Sequence, residues 1–199
     1  MTTTRDVAEV RTGLALALAS AVAEKGYAGT TIADIVARAR VSKRTFYEHF
    51  ADKQECLMAL YAGACDRLMT VLREAGSADQ PWRDRVRSVV GTYLSMLEAM
   101  PAVNRTLLVE MQAAGERAYR MRQETQRAFA HTLVEIVESG RPANPEIGPL
   151  SPALALALVG GINELMLDMI DPCDPAAASF TPLTEPIVTL VSAVLTQRG

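Results

Sequence analysis

Aromatic residues are scarce: one Trp, five Tyr and four Phe in 199 residues. A chain this poor in aromatics, and without alternating runs of β-branched residues, has little from which to build a pleated sheet. Histidine is scarcer still. His49 and His131 stand alone, neither at metal-ligand spacing from another donor, so no metal site is expected. There is no glycine-rich phosphate loop and no nucleophile motif, and the carboxylates are scattered. An enzyme is therefore not expected, nor a cofactor. The three cysteines are an odd number and make no disulfide framework. Cys56 and Cys65 share one expected helix, which separates them by roughly 13 Å along its axis, beyond the ~7 Å reach of a bridge. They read as small core residues in a reducing compartment.

Long, clean apolar runs are also missing. The stretch GLALALASAVA (13–23) imitates the core of a signal peptide, but Asp6 and Glu9 precede it where such a peptide is basic. Val7, Val10, Leu14, Leu18 and Ala21 recur there at helical spacing, so an amphipathic helix in a cytoplasmic protein is expected. Residues 152–170 contain Asn163, Glu164 and Asp168 and fall short of the ~20 apolar residues of a membrane span. The net charge of −3 excludes a polybasic chain. Any contact with nucleic acid must come from a local patch.

What is present favours helices. Hydrophobic residues make up 49% of the chain, and Ala, Leu, Val, Glu and Arg dominate. The expected fold is all-α with about nine helices, near 5–25, 31–39, 42–49, 52–75, 81–100, 102–114, 116–139, 152–170 and 184–197. Gly26 ends the first. Thr31 and Asp34 have capping-box spacing for the second, and Ser42 is the expected N-cap of the third. Pro-rich loops cover 141–151 and 171–181. The expected boundary falls between Ala51 and Asp52: a three-helix unit (1–51), then a larger helical domain (52–199).

The sharpest local excess of charge is Arg38, Arg40, Lys43 and Arg44, with no acid between Asp34 and Glu48. Ile32, Ile35 and Val36 give the second helix an apolar face, and Val41, Phe46 and Phe50 complement it. Lys43, Arg44, Thr45 and Glu48 are left facing outward. A two-turn helix with donors at its N-terminal end meets the shape requirements of the recognition helix in a helix-turn-helix. Its Lys and Arg can donate to guanine O6 and N7. Taken singly, Lys43 and Arg44 are what any solvated face carries, His49 is an ordinary surface or capping histidine, and Tyr47 is ordinary half-buried core. Only the full set points to DNA.

The stretch GYAGTTIADIVARARVSKRTFYEHFADK (26–53) resembles the DNA-binding segment of the tetracycline-repressor (TetR) family. The matching features are GY, Thr30–Thr31, Val41–Ser42, TFYEHF at 45–50 and Asp52–Lys53. The resemblance covers roughly 50 residues; beyond it, only length and helical character agree. It implies that Lys43 and Arg44 read bases with Ser42 and Thr45 close by. It further implies that Thr31, Tyr47, His49 and Lys53 hold phosphates, while Phe46 and Phe50 are core. Arg40 stands where the family often has glycine, at an expected cost of ~1 kcal/mol for positive φ.

The resemblance also implies a homodimer on a palindromic operator, since one short helix neutralises few phosphates. The last two helices are the expected seam. Residues 152–170 are apolar almost all round, and Gly160–Gly161 allow close approach by another helix. A small apolar effector is expected between the middle helices, with Tyr93, Met96, Met100, Met111, Tyr119, Phe129 and Asn163 as candidate contacts, although a Met or aromatic stripe is more often plain core. The function implied is repression of transcription relieved by that effector, through a swing of the fourth helix. The rival reading is a helical small-molecule or lipid-binding protein without specific DNA binding.

Overall fold

The computed structural model describes residues 4–75, 80–170 and 179–196. The expected break at 76–77, most of the loop 171–181 and the end of the last helix lie outside the described residues. Among the described residues every element is helical, so the all-α expectation is met. In chain order they are α1 (Thr4–Gly29), α2 (Ile32–Ala39), α3 (Lys43–His49), α4 (Lys53–Ala75) and α5 (Trp82–Glu98). Then α6 starts as Pro101–Arg105, passes through a π turn at Thr106–Glu110 and ends as Met111–Ala113. After it come α7 (Glu116–Gly140), α8 (Pro152–Asp168) and α9 (Thr184–Leu195).

Departures from the expected pattern are the 3-10 turns Arg141–Ala143 and Thr181–Leu183, in or beside the expected loops, and the π turn Thr106–Glu110. Buried Thr106 donates its hydroxyl back to the Ala102 carbonyl at 2.8 Å, the i−4 back-bond that loosens a helix. Met111 N–H then reaches the Thr106 carbonyl, five residues back. Hydrophobic periodicity over one turn is too short a signal to reveal this.

The chain forms two compact units, Met1–Ala64 with Ala102–Met121, and Cys65–Pro101 with Arg122–Gly199. In the first, α1 leaves helical geometry at Gly26 (φ 69°, ψ 164°), a conformation open to glycine. Leu14, Leu18, Ala21 and Val22 of α1 are buried with Ile35, Phe46, Phe50 and Leu57, while Val7 is 42% exposed, so the apolar stripe takes effect only further along. The Phe46 and Phe50 rings lie 5.7 Å apart. Burying each stabilises the unit by about 1.5–3 kcal/mol. Cys56 is buried among them, and desolvation pushes its thiol up to about 12.

The local signals for α2 and α3 hold. Asp34 N–H donates to Thr31 Oγ1 (3.2 Å) and Thr31 N–H to Asp34 Oδ2 (2.9 Å), a complete capping box. The Lys25 ammonium on Asp34 Oδ1, with the Thr31 donors, holds that carboxyl far below the usual range. At the other end Arg40 adopts φ 55°, ψ 41°. Its N–H and that of Val41 donate to the Ala37 and Val36 carbonyls (3.4 and 3.1 Å), the pattern of a helix normally closed by glycine. Ser42 Oγ accepts from Thr45 N–H at 3.0 Å and starts α3.

The second unit centres on Trp82, Ala130, Ile147, Leu150, Ala155, Leu158 and Leu195, from α5, α7, α8, α9 and the loop before α8. Trp82 satisfies its indole N–H on Glu146 (2.6 Å). α5 and α9 run antiparallel: the Arg87 guanidinium forks onto Glu185 (2.9 and 3.2 Å), and Trp82 and Leu195 share the core at the other end of α9. Glu98, at the end of α5, catches the turn before α9. Its oxygens accept from Thr181 N–H (2.7 Å), Thr181 Oγ1 (2.9 Å), Ser179 Oγ (3.0 Å) and Phe180 N–H (2.6 Å).

Two stability predictions follow from these contacts. Glu98→Ala strands two backbone N–H groups and should cost about 2 kcal/mol in urea unfolding. The donors, Thr181 N–H first, hold the Glu98 pKa below its ordinary value. Its stabilisation is therefore complete above about pH 4.3 and is lost as pH falls through the folded value, so the parent and Glu98→Ala curves should converge in acid. Conversely, Arg40→Gly relieves the left-handed strain and should raise stability by about 1 kcal/mol, less the entropy that glycine returns to the unfolded chain.

Candidate nucleic-acid interface

The first unit presents α3 outward by its N-terminal end. Buried Phe46 on this seven-residue helix and Phe50 at its C-cap fix the inner face, while Lys43, Arg44, Tyr47 and Glu48 are exposed. Lys43 is exposed and has no partner among the described residues. The Arg44 side chain is 90% exposed, and its Nε donates to Glu48 Oε1 at 3.1 Å. One of the five guanidinium N–H groups is thus used, and the fork at the tip stays open. Tyr47 is 58% exposed, its ring edge-on to Phe46 at 5.6 Å. Glu24 pairs with Arg38, so of the basic run Arg38 is already neutralised. The Arg40 side chain is exposed and has no partner among the described residues.

Thr45 is half-buried and shares a 2.9 Å hydroxyl contact with Ser42, so these two side chains serve the helix start as well as its outer surface. Exposed Thr31 donates its hydroxyl to Asp34 Oδ2 (2.6 Å) while its oxygen accepts from Asp34 N–H, so in this arrangement the capping box engages both. His49 is half-buried, and its carbonyl accepts from Arg11 Nη1 at 2.5 Å. The Arg11 guanidinium also stacks over the Phe50 ring at 4.2 Å. Arg11 therefore holds the C-terminal end of α3, a role no local spacing announces.

Lys53 opens α4. Its Nζ donates to the carbonyls of Tyr27 (2.6 Å) and Thr30 (2.7 Å) and lies over the Tyr27 ring at 4.2 Å. Burial lowers its pKa from the usual lysine value. Two of three ammonium donors are committed inward, and one is left. Desolvation, then the charge of Asp52, raises the Tyr27 phenol.

The candidate effector contacts fall in both units. Met111 is fully buried and Tyr119 51% exposed in the first. In the second, Phe129 is buried, Met96 is 37% exposed, and Tyr93, Met100 and Asn163 are half-buried. No group of His, Cys, Asp and Glu able to hold a metal occurs among the described residues, and no described helix is long and apolar enough to cross a membrane.

Residues 16–60 match the family model described as bacterial regulatory proteins, tetR family. Over 101 residues the chain is 33% identical to the HTH-type transcriptional regulator YxbF of Bacillus subtilis, a match covering 50% of this chain and 27% of that protein. Over 90 residues it is 30% identical to the HTH-type transcriptional activator FasR of Mycolicibacterium smegmatis, covering 45% of this chain and 41% of that one. The chain thus spans less than half the length of both relatives. The solved structure of the transcriptional regulator FadR from Bacillus subtilis in complex with stearoyl-CoA shares the fold. Its TM-score is 0.78, at 17% identity, over 92% of this chain and 98% of that one. The matched segment is the one that builds the exposed α3, and over it the chain is similar to the tetR family of bacterial regulatory proteins.

Proposed function

We propose that the chain is a ligand-responsive transcriptional repressor that binds palindromic operator DNA as a homodimer in the cytoplasm. Residues 1–51 would supply the DNA-binding domain, and 52–199 the effector-binding and dimerisation domain. The observation that carries this is the N-terminal end of α3, where unpaired Lys43 and the open fork of Arg44 stand over a fixed aromatic base. Lys43 and Arg44 read base edges, with Ser42 and Thr45 beside them. Thr31, Tyr47, His49 and the remaining donor of Lys53 hold phosphates.

The dimer is assigned to α8 and α9. Leu154 and Leu156 of α8 are 41% and 40% exposed, more apolar surface than one chain covers by itself. Gly161 would bring a Cβ within 3.9 Å of Leu190 on α9, whereas Gly160 meets nothing within 4 Å. A side chain at 161 would thus meet Leu190 in ordinary contact, so packing within the chain requires neither glycine, and Gly160 is free to admit a second copy. Two-fold symmetry would then set the recognition helices about 34–36 Å apart, one groove repeat.

The effector is small and apolar, with Tyr93, Met96, Met100, Met111, Tyr119, Phe129 and Asn163 as candidate contacts. The likeness to a FadR in complex with stearoyl-CoA supports a long acyl chain as the apolar part of that effector. Binding would shift the population toward a state that no longer spans two half-sites. FasR, by contrast, is described as an activator, so the sign of regulation is part of the test.

The experiment is duplex selection from a randomised library, followed by affinity measurements. A palindrome should emerge, and Lys43→Ala and Arg44→Ala should each lose about 1–3 kcal/mol of discrimination at one base position. Stearoyl-CoA should weaken binding without unfolding the protein, and a reporter placed behind the selected site should be silenced. Unchanged affinity and preference in both variants would favour the carrier-protein reading instead, and a reporter that is switched on would replace repression by activation.

A further inference from the structure

The turn 27–30, just before the N-cap of α2, is gripped from two sides. In a continuous helix Tyr27 N–H would pair with the Ala23 carbonyl. At the Gly26 break both find partners on α6. Tyr27 N–H donates to Glu110 Oε2 at 3.1 Å, and Arg105 Nη1 donates to the carbonyls of Ala23 (3.3 Å) and Val22 (3.5 Å). Residues five apart face different sides of an α-helix, but the π turn Thr106–Glu110 lies between these two. It brings Arg105 Nη1 within 3.8 Å of Glu110 Oε1, with only 23% and 16% of the side chains exposed. From the other side, Lys53 holds the Tyr27 and Thr30 carbonyls. Two further links tie the start of α4 to the same stretch: Gln54 Nε2 to the Ala114 carbonyl (2.6 Å) and Arg117 to Asp52 (3.7 Å). All of these lie inside the first compact unit.

The geometry points to Glu110 as a positioning residue for DNA binding. Acting through Tyr27 N–H, it sets the turn 27–30, and with the turn it aims the last donor of Lys53 and the N-terminus of α2 at backbone phosphates. This rests on the DNA-binding function proposed above, and Glu110 itself touches no DNA. Its sign makes the idea sharp. A carboxylate near a polyanion repels it, so removing Glu110 should tighten binding if it only contributes charge. A positioning role demands the opposite.

The test uses the full-length chain, a duplex selected by the parent protein, and affinity across a salt series. Glu110→Ala should bind on the order of tenfold more weakly, with the slope of log affinity against log salt shallower by about one per protomer. Glu110→Gln keeps an oxygen for Tyr27 N–H and should recover most of the loss. Glu110→Asp keeps the charge but falls short of the amide, and should weaken binding as Ala does. It also keeps the question answerable if the alanine variant does not fold. Parent-like or tighter binding by Glu110→Asp, or by a folded Glu110→Ala, with an unchanged slope would overturn the assignment. A parent protein that selects no duplex would overturn the DNA-binding function and this role together, a result distinct from the first.

Discussion

The fold of the N-terminal unit depends on how one helix is allowed to stop. α1 must end at Gly26 so that α2 can turn back across it, and a helix end inside a protein exposes amides and carbonyls that cost about 1–3 kcal/mol each if left unmet. Here the partners are not local. Arg105 takes the carbonyls of Val22 and Ala23, and Glu110 takes the amide of Tyr27. With the break satisfied, Lys53 can spend two of its protons on the same turn. The start of α2, the start of α4 and the outward end of α3 then inherit their places from it.

Most of what builds the α2–α3 pair is written within a few residues. The Thr31–Asp34 box, the Ser42 cap, the Gly26 stop and the i,i+4 spacing of Phe46 and Phe50 are short-range devices, and each appears where the spacing puts it. Arg40 is legible for the same reason: the turn requires the left-handed region whatever residue sits there. What the chain does not announce is anything that closes over a long loop. Arg105 and Glu110 lie more than eighty residues from the atoms they hold, and Arg11 reaches His49 across thirty-eight. No periodicity encodes such pairs, and a single π turn is too brief to disturb a hydrophobic pattern.

The candidate effector contacts are legible only as residue types. Methionine and aromatic residues at helical spacing describe a core and a cavity lining equally well. The spread from fully buried Met111 to half-exposed Tyr119 is what mixed origins produce. The second unit is clearer about its own construction. Polar staples, Glu98 on the turn before α9 and Arg87 on Glu185, fix the antiparallel pairing of α5 with α9, and the apolar groups around Trp82 fill the space at the far end. Polar contacts set the register there, and apolar burial supplies most of the stability.

The discontinuity of the first compact unit bears on how this protein can be taken apart. A fragment ending near residue 64 would carry every outward-facing side chain of α3 yet lack the α6 groups that quench the frayed end of α1. Grafting this unit onto another scaffold would meet the same difficulty unless residues 102–121 travelled with it. The separable module is thus defined by the company its backbone keeps rather than by a stretch of adjacent numbers.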